Sequence, residues 1–231
     1  MKITVITGTD TKGCTYHIKE TFLDVLREGN IIEEFSLPKD MPHFCIGCKN
    51  CFLRGEEFCP HFEYVSPIFE SMKTSDLILF AYPVYALRAP GHVKALLDHL
   101  CYNWVIHRPK EELFTQEIAI LTQSIGAPNG AAQKDVATSM NWMGNSNIRR
   151  QGFGLMEGIV WEELSDEKKN KIVLKTRKFA EYYLKGNAEK QGAKGKFLFN
   201  IGKTLRKNVL KGEKKRSIDT QYWIDKGWIK E

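Results

Sequence analysis

Four of the six cysteines of this chain lie in one short segment, FCIGCKNCFLRGEEFCP (44–60), in a C-x2-C-x2-C-x7-C pattern. We call this segment the cysteine loop. Spacings of two residues let three thiolates converge on one face of a compact loop, and a fourth thiolate can close a [4Fe–4S] cage. Four thiolates also suit tetrahedral zinc, and a set of unmetallated thiols is the third interpretation. The candidate metal ligands are Cys45, Cys48, Cys51 and Cys59.

A second candidate site is the loop TGTDTKGCTYH (7–17), which follows the first predicted strand. It has hydroxyl groups at Thr9, Thr11 and Thr15 and an ammonium group at Lys12. The loop leads into a helix N-terminus, whose free N–H groups and dipole suit a phosphate group. It contains neither G-x4-G-K-[ST] nor G-x-G-x-x-G, which argues against a nucleoside triphosphate or a standard dinucleotide. A plain strand–helix connection is the alternative.

Two further loops follow buried apolar runs. AYPVYALRAPG (81–91) projects Tyr82 and Tyr85, which can flank a flat ring or simply pack at a strand end. TQSIGAPNG (122–130) has polar side chains and free backbone N–H groups around Gly126. A phosphate at one loop and a planar polar ring across the other two fit FMN better than any other common cofactor. The three loops together therefore predict an FMN site.

Apolar runs alternate with segments of helical period up to residue 184. This alternation predicts an α/β fold with a parallel sheet. In such a sheet, ligands bind beyond the carboxyl ends of the strands, where we expect the three loops to meet. The predicted strands are 2–7, 30–37, 76–85, 117–123 and one within 147–160, and the predicted helices are 15–28, 62–73, 91–102, 131–144 and 165–184, the last capped by Ser165.

The composition is that of an ordinary globular protein. The chain has 231 residues, of which 42% are hydrophobic and 27% charged. No stretch approaches the roughly 20 apolar residues that cross a bilayer. The N-terminal MKITVITGTD is predicted to be a strand rather than a secretion signal, so we expect a cytoplasmic protein. Thiols stay reduced in the cytoplasm, which favours metal or redox chemistry over structural disulfides.

Residues 185–231 form a basic, aromatic segment, here called the arm, which we predict to be separate from a domain spanning 1–184. From Lys185 to Arg216 there are eleven Lys and Arg residues against two Glu, within a net charge of +6 for the whole chain. A linker (186–195) precedes a basic amphipathic helix (196–212). We expect the arm to pack on its own or a neighbouring subunit, with a membrane surface as the alternative. A basic segment of this kind does not by itself predict nucleic-acid binding.

The three loops and the cysteine run resemble those of the NADPH-dependent FMN reductase superfamily. Within it, iron–sulfur flavoproteins and multimeric flavodoxin-like quinone reductases are the most similar groups. The resemblance covers about residues 1–184 and implies a flavodoxin-like three-layer sandwich with a five-stranded sheet of order 2-1-3-4-5. The family's first loop typically reads G-S-P-R-K-x-G-N-T. Here Asp10 and Thr11 replace Pro-Arg, which removes one charge partner of the phosphate, and Tyr82 replaces a serine in the second loop.

The resemblance also implies which residues hold each group. In the order 2-1-3-4-5 the second strand lies beside the first, so the cysteine loop should emerge at the flavin edge. In iron–sulfur flavoproteins a compact motif of this kind holds a [4Fe–4S] cluster. The implied FMN-binding residues are Thr9, Thr11, Lys12, Gly13, Cys14, Thr15, Pro83, Val84, Tyr85, Ala86, Leu87, Thr122, Gln123, Ser124 and Gly126.

The function that follows is an FMN-dependent NAD(P)H oxidoreductase. It would pass electrons to a small-molecule acceptor such as a quinone or flavin, or to a redox protein, as a homodimer or homotetramer. The cofactor carries this chemistry, so no catalytic side chain is predicted, and neither G-x-S-x-G nor H-E-x-x-H occurs. The alternatives are an FMN-binding electron carrier or thiol redox sensor with little turnover, and a zinc-stabilised interaction module.

Four residues outside these loops could also contribute chemistry. Cys101 ends an apolar helix and is predicted to be a core residue. His43 and His61 flank the cysteines and are predicted to have surface or capping roles, with metal ligation as the alternative. His107 is predicted to pack structurally rather than to border a substrate pocket.

Overall fold

The computed structural model describes residues 1–155, 160–186 and 190–231. Five parallel strands form one sheet of order β2-β1-β3-β4-β5, which confirms the predicted flavodoxin-like topology. The strands are β1 (Lys2–Thr7), β2 (Ile31–Ser36), β3 (Leu77–Pro83), β4 (Glu117–Ser124) and β5 (Ile148–Gly154).

Burial of the strands follows their position in the sheet. All seven residues of β3, LILFAYP, are buried, as expected for a central parallel strand with helices on both faces. The edge strand β2 is partly exposed, and its first residue, Ile31, is 69% exposed. The apolar runs of the sequence therefore mark the centre of the sheet.

Nine α-helices occur in the described part of the chain. The five predicted helices of the first 184 residues correspond to observed helices within a few residues, and the Ser165 hydroxyl caps one of them by accepting from the Lys168 N–H at 3.3 Å. Residues 156–159 of the range predicted to hold the last strand, and 187–189 of the predicted linker, lie outside the described residues. The helices are α1 (Cys14–Leu26), α2 (Leu37–Asp40), α3 (Asn50–Leu53), α4 (Phe62–Thr74), α5 (Gly91–His99), α6 (Gly130–Trp142), α7 (Asp166–Glu181), α8 (Ala193–Gly212) and α9 (Ile218–Asp225).

The helices form two layers around the sheet. Side chains of α4, α5 and α6 share one buried apolar cluster with one face of the sheet. Side chains of α1 and α7 share a second cluster with the opposite face. These three layers place the carboxyl ends of all five strands at one edge, where the loops that precede α1, α5 and α6 begin.

The arm folds back onto its own chain. A Cβ added at Gly195 would lie 2.2 Å from the Gly144 carbonyl oxygen, so α8 approaches that backbone as only glycine allows. Trp223 of α9 is completely buried, and its ring lies 5.2 Å from that of Phe199 on α8. None of the described helices is long and apolar enough to span a bilayer.

Candidate functional site: three rim loops and a thiol cavity

Three loops leave the sheet side by side, and we call residues 8–13, 84–90 and 125–129 the rim loops. They follow β1, β3 and β4, which are neighbours in the sheet. The Gly8 N–H donates to the Ala81 carbonyl at 2.9 Å, which joins the first loop to β3. The Val84 N–H donates to the Gln123 carbonyl at 2.7 Å, which joins the second loop to β4. The loops therefore share one edge, as the sequence predicted.

The first rim loop ends at the N-terminus of α1. Gly13 occupies the cap position in an extended conformation and has no side chain that could cover the helix N-terminus. Thr11 and Lys12 are exposed, whereas Cys14 and Thr15 are buried in the first turn of the helix. Burial raises the pKa of the Cys14 thiol, so this residue contributes a neutral side chain and backbone groups. The loop thus exposes a cation beside a helix N-terminus, an arrangement that suits a phosphate.

The second rim loop is a tight turn that α6 holds in place. Ala86 and Leu87 both have positive φ angles, of 48° and 65°, and the Arg88 N–H donates to the Tyr85 carbonyl at 2.9 Å. The carboxylate of Asp135 accepts from the Arg88 Nε at 3.1 Å and from the Ala89 N–H at 3.0 Å. This anchoring leaves the Tyr85 and Leu87 side chains more than half exposed at the rim.

The hydroxyl groups at the end of β4, just before the third rim loop, bond within the protein. The Thr122 hydroxyl accepts from Gln133 Nε2 at 2.9 Å, and the Ser124 hydroxyl donates to the Ala127 carbonyl at 2.5 Å. Gly126 adopts a φ of 134°, which side chains other than glycine's rarely tolerate. The sequence-predicted hydroxyls at 122 and 124 therefore shape the loop, and a ligand at the rim meets its backbone.

The four cysteines of the cysteine loop converge on one cavity of about 70 Å³. The fold brings all four predicted ligands together, and no disulfide joins these four described thiols. Two left-handed residues flank Cys48, with φ angles of 67° at Gly47 and 63° at Lys49, and they turn the chain back on itself. Other side chains around the cavity include those of Phe52, His61, Asp98, His99 and Cys101.

Cys101 therefore differs from its prediction as a core residue. It is half-buried and lines the cavity because α5 ends at His99, beside the cysteine loop. Burial, and then the charges of Cys51 and Cys45, raise the pKa of the Cys101 thiol to about 11. A fifth thiol, neutral at physiological pH, thus lies against the predicted ligands. The sequence did not show this proximity because Cys101 is far along the chain from the loop.

Two histidines close one side of the cavity. Ligand atoms of Cys59, His61 and His99 all lie within 4.8 Å of one another. His99 Nδ1 contacts the Ala95 carbonyl at 2.7 Å, so this nitrogen carries a proton, because a carbonyl oxygen only accepts. His61 Nδ1 and His99 Nε2 lie 2.9 Å apart, within hydrogen-bonding distance. His61 occupies the N-cap position of α4, in line with the capping role predicted for it, and its ring pairs with that of His99.

Neighbouring thiolates in the cysteine loop repel one another, which raises the pKa of its buried thiols. Burial raises the pKa of Cys51, the charges of Cys59, Cys45 and Cys48 raise it further, and the Arg108 guanidinium lowers it. Burial also raises the pKa of Cys59, which a hydrogen bond from the His61 backbone N–H opposes. A positively charged centre bound between the thiols would offset this repulsion and favour their deprotonated form. The donor set is therefore chemically suited to a metal ion or an iron–sulfur cluster.

The cysteine loop begins beside the rim and reaches the cavity near the other end of α5. The Phe44 ring, at the start of the cysteine loop, lies 3.7 Å from the Cβ position of Gly91, the first residue of α5. Asp98 and Cys101, near the other end of α5, line the cavity. Nine helical residues span about 13 Å, so the loop runs along α5 from the rim to the cavity.

The sequence analysis did not identify two charged residues, Arg108 and Asp219, that lie next to the cysteine loop. Arg108 Nη1 donates to Asp219 Oδ1, and Arg108 Nη2 donates to the Cys51 carbonyl and to the Glu56 carboxylate. His107 Nδ1 contacts Asp219 Oδ2 at 2.7 Å, so His107 packs structurally, as predicted. Arg108 and Asp219 are both more than nine-tenths buried. No local pattern marks such a pair, because the partners are 111 positions apart.

Comparison with known proteins points to one family. A family model described as NADPH-dependent FMN reductase matches residues 1–157. An iron–sulfur flavoprotein of Methanosarcina thermophila is 29% identical over 145 residues, which cover 62% of this chain and 73% of the relative. An iron–sulfur flavoprotein of Archaeoglobus fulgidus is 24% identical over 205 residues, which cover 86% and 85%.

A solved structure has the same fold. The NAD(P)H:quinone oxidoreductase from Methanothermobacter marburgensis superposes with a TM-score of 0.60 at 16% identity, over 80% of this chain and 97% of that chain. At this identity the likeness shows the fold alone. The match to the family model covers the sheet and all three rim loops, and from it we conclude that this chain belongs to the NADPH-dependent FMN reductase family and is an oxidoreductase.

Proposed function

We propose that this protein is an FMN-dependent NAD(P)H oxidoreductase that passes electrons to a quinone, a flavin or an electron-carrier protein, with a [4Fe–4S] cluster in its cysteine loop. The observation that carries the proposal is the convergence of the three rim loops at the carboxyl ends of β1, β3 and β4. This edge is the usual ligand site of an open parallel sheet. The family description supplies the flavin chemistry.

The rim residues fit FMN by their chemistry. Residues 9–15 present hydroxyls, the Lys12 ammonium and the N-terminus of α1 to a phosphate. Residues 83–87 present the exposed Tyr85 ring and a turn with two left-handed residues, against which an isoalloxazine ring can lie. Residues 122–126 contribute backbone groups, because the hydroxyls of this loop bond within the protein. When bound, FMN accepts a hydride and releases electrons singly or in pairs.

The cysteine loop fits a [4Fe–4S] cluster by its donor set. Its four thiols line one cavity, and the His61 N–H donates to Cys59, which stabilises a thiolate ligand. Zinc fits the same four thiols, but the two relatives are named iron–sulfur flavoproteins, which favours the cluster. We expect Cys45, Cys48, Cys51 and Cys59 to be its ligands.

The overall reaction conserves atoms and electrons. With a quinone, NAD(P)H and one proton yield NAD(P)⁺ and a hydroquinone, so two electrons and two protons reach the acceptor. The chain itself has to orient the two substrates at the rim, and the exposed Tyr85 and Leu87 side chains provide an apolar surface for planar rings. We place this activity in the cytoplasm, where the loop thiols remain reduced, and in a homodimer or homotetramer.

Anaerobic purification with cofactor analysis tests the proposal. We expect a flavin spectrum with one FMN and four iron atoms per chain, and steady-state oxidation of NADH or NADPH by a quinone. Comparing the two nucleotides identifies the donor. A protein that neither contains FMN nor takes it up contradicts the flavin site. Zinc in place of iron, or no metal at all, contradicts the iron–sulfur cluster but leaves the flavin site standing. Bound FMN without turnover indicates an electron carrier instead of an enzyme.

A further inference from the structure

The segment 106–110 lies between the arm and the cysteine loop. Three of its backbone carbonyls accept hydrogen bonds from arm side chains, so the arm binds this segment along its length. The Phe52 ring of the cysteine loop packs on His107 from the other side, with 4.6 Å between ring centroids. The three hydrogen bonds run from Arg206 Nη2 to Ile106, from Trp223 Nε1 to His107 and from Tyr222 Oη to Pro109.

Arg108 hydrogen-bonds with both neighbours, and His107 and Lys110 on either side of it also contact both. One guanidinium nitrogen donates to Asp219 of the arm. The other donates to the Cys51 carbonyl and, at 3.1 Å, to Glu56, both in the cysteine loop. Since Arg108 is only 5% exposed, water does not replace these partners. The position of the Cys51 backbone thus depends on where the guanidinium is held.

Asp219 is the arm carboxylate that pairs with the Arg108 guanidinium, opposite Glu56 of the cysteine loop. Its carboxylate also accepts from Arg206 Nη2 at 3.3 Å and bonds with His107 at 2.7 Å. Charge-assisted hydrogen bonds of this kind are directional, and a buried cation that loses its partner is strongly destabilised. The carboxylate therefore neutralises and orients two buried guanidinium groups at once.

We propose that Asp219 and Arg108 are positioning residues of the cysteine site: the docked arm fixes Arg108, and Arg108 holds the cysteine loop in the conformation that gathers its four thiols. The arm is then part of the metal centre's scaffold, although it contributes no ligand. Only the identity of the metal centre in the cavity depends on the proposed function. The contacts between the arm, Arg108 and the cysteine loop are made within the chain itself.

Two variants of the full-length protein disturb this connection in different ways. Asp219→Asn removes the charge that orients Arg108. Gly202→Ala displaces the arm without changing a charge, because its Cβ would lie 2.1 Å from the Val105 carbonyl oxygen. Gly212→Ala, at the end of the same helix, is the matched control, since nothing lies within 4 Å of its Cβ position.

The measurements are hydrogen exchange of residues 44–60 and the rate at which a chelator removes iron from the anaerobic protein. Loss of one charge-assisted contact predicts exchange and iron release faster by about tenfold or more in both variants. In both variants we expect hydrogen exchange at the rim loop 8–13 and the FMN content to stay unchanged. The Gly212→Ala control should show the exchange and iron-release rates of the unaltered protein. Arg108→Lys, which retains the charge but loses the two-nitrogen geometry, should give the same direction of change if Asp219→Asn does not fold.

Exchange at 44–60 that stays at the wild-type rate in the folded variants would overturn the proposal. Faster exchange at 44–60 with iron release at the wild-type rate would show that the loop loosens without affecting the metal centre. That outcome would also overturn the proposal. A wild-type protein without iron is a different outcome: it contradicts the cluster in the proposed function, while hydrogen exchange at 44–60 still decides whether the arm positions the loop.

Discussion

At the scale of single residues, Asp135 is the side chain that holds the second rim loop. It accepts from the Arg88 side chain and from the Ala89 N–H, and thereby fixes the turn that exposes Tyr85. Asp135→Asn keeps the shape but loses the charge. Since a hydrogen bond to a charged group contributes about 1.5–3 kcal/mol, we expect FMN to bind roughly ten times more weakly or worse. Titration of the apoprotein with FMN, followed by flavin fluorescence, measures this change.

The matched control is Asp24→Asn on α1. Asp24 is exposed and lies 3.8 Å from Arg27, an arrangement that contributes little to stability. We expect this variant to bind FMN with the affinity of the unaltered protein. Equal affinities for the Asp135 and Asp24 variants would show that the turn does not depend on its anchor to α6.

At the scale of elements, docking of α9 depends on a buried carboxylate. Burial by itself would raise the pKa of Asp219, but the hydrogen bond from His107 and the positive charges of Arg108 and Arg206 outweigh it and hold the pKa below its ordinary value. A carboxyl group with a lowered folded-state pKa stabilises the protein above its unfolded pKa of about 4. That stabilisation is lost as the pH falls through the folded-state value.

We therefore expect Asp219→Asn to lower the free energy of unfolding by about 3–5 kcal/mol at neutral pH, because it removes one partner of a buried ion pair. This difference should shrink as the pH is lowered from about 5 to about 2, since acid neutralises the same carboxylate in the unaltered protein. Chemical denaturation followed by circular dichroism at each pH measures both values. Asp225→Asn, an exposed change on the same helix, serves as the control. A pH-independent difference would contradict the assignment.

At the scale of the whole molecule, the rim carries a group of exposed apolar side chains. Leu87 is 59% exposed and Ile125 is 61% exposed, and Phe44 and Tyr85 are also more than half exposed nearby. Apolar patches of this kind mark interaction sites on soluble proteins. Because we propose a homo-oligomer, we expect this patch to lie at the subunit interface, so that a charge there disrupts assembly.

Sedimentation velocity tests this expectation. The unaltered chain should sediment as a dimer or larger, and the double variant Leu87→Asp, Ile125→Asp as a monomer. Leu174→Asp on α7 is the control, because Leu174 is 68% exposed but lies on the opposite layer. A monomeric unaltered chain, or a double variant that still assembles, would show that the interface is elsewhere.

Much of the domain could be predicted because its signals are local. The run DLILFAYP indicated the fully buried β3, and Ser165 indicated the start of α7, since strand burial and helix capping depend on neighbouring residues. Strand order followed from the resemblance to a known family. The path of the cysteine loop beyond the rim was not predicted, because it depends on how α5 packs beside it.

The sequence by itself determined the alternation of strands and helices, the three rim loops and the identity of the four clustered thiols. These features depend on residue type and short spacing, which the chain carries in order. Only the tertiary structure decided that Cys101 and His99 line the thiol cavity and that Asp219 reaches Arg108 behind it. Such contacts join residues far apart in the chain, and they arise only when the packed elements bring those residues together.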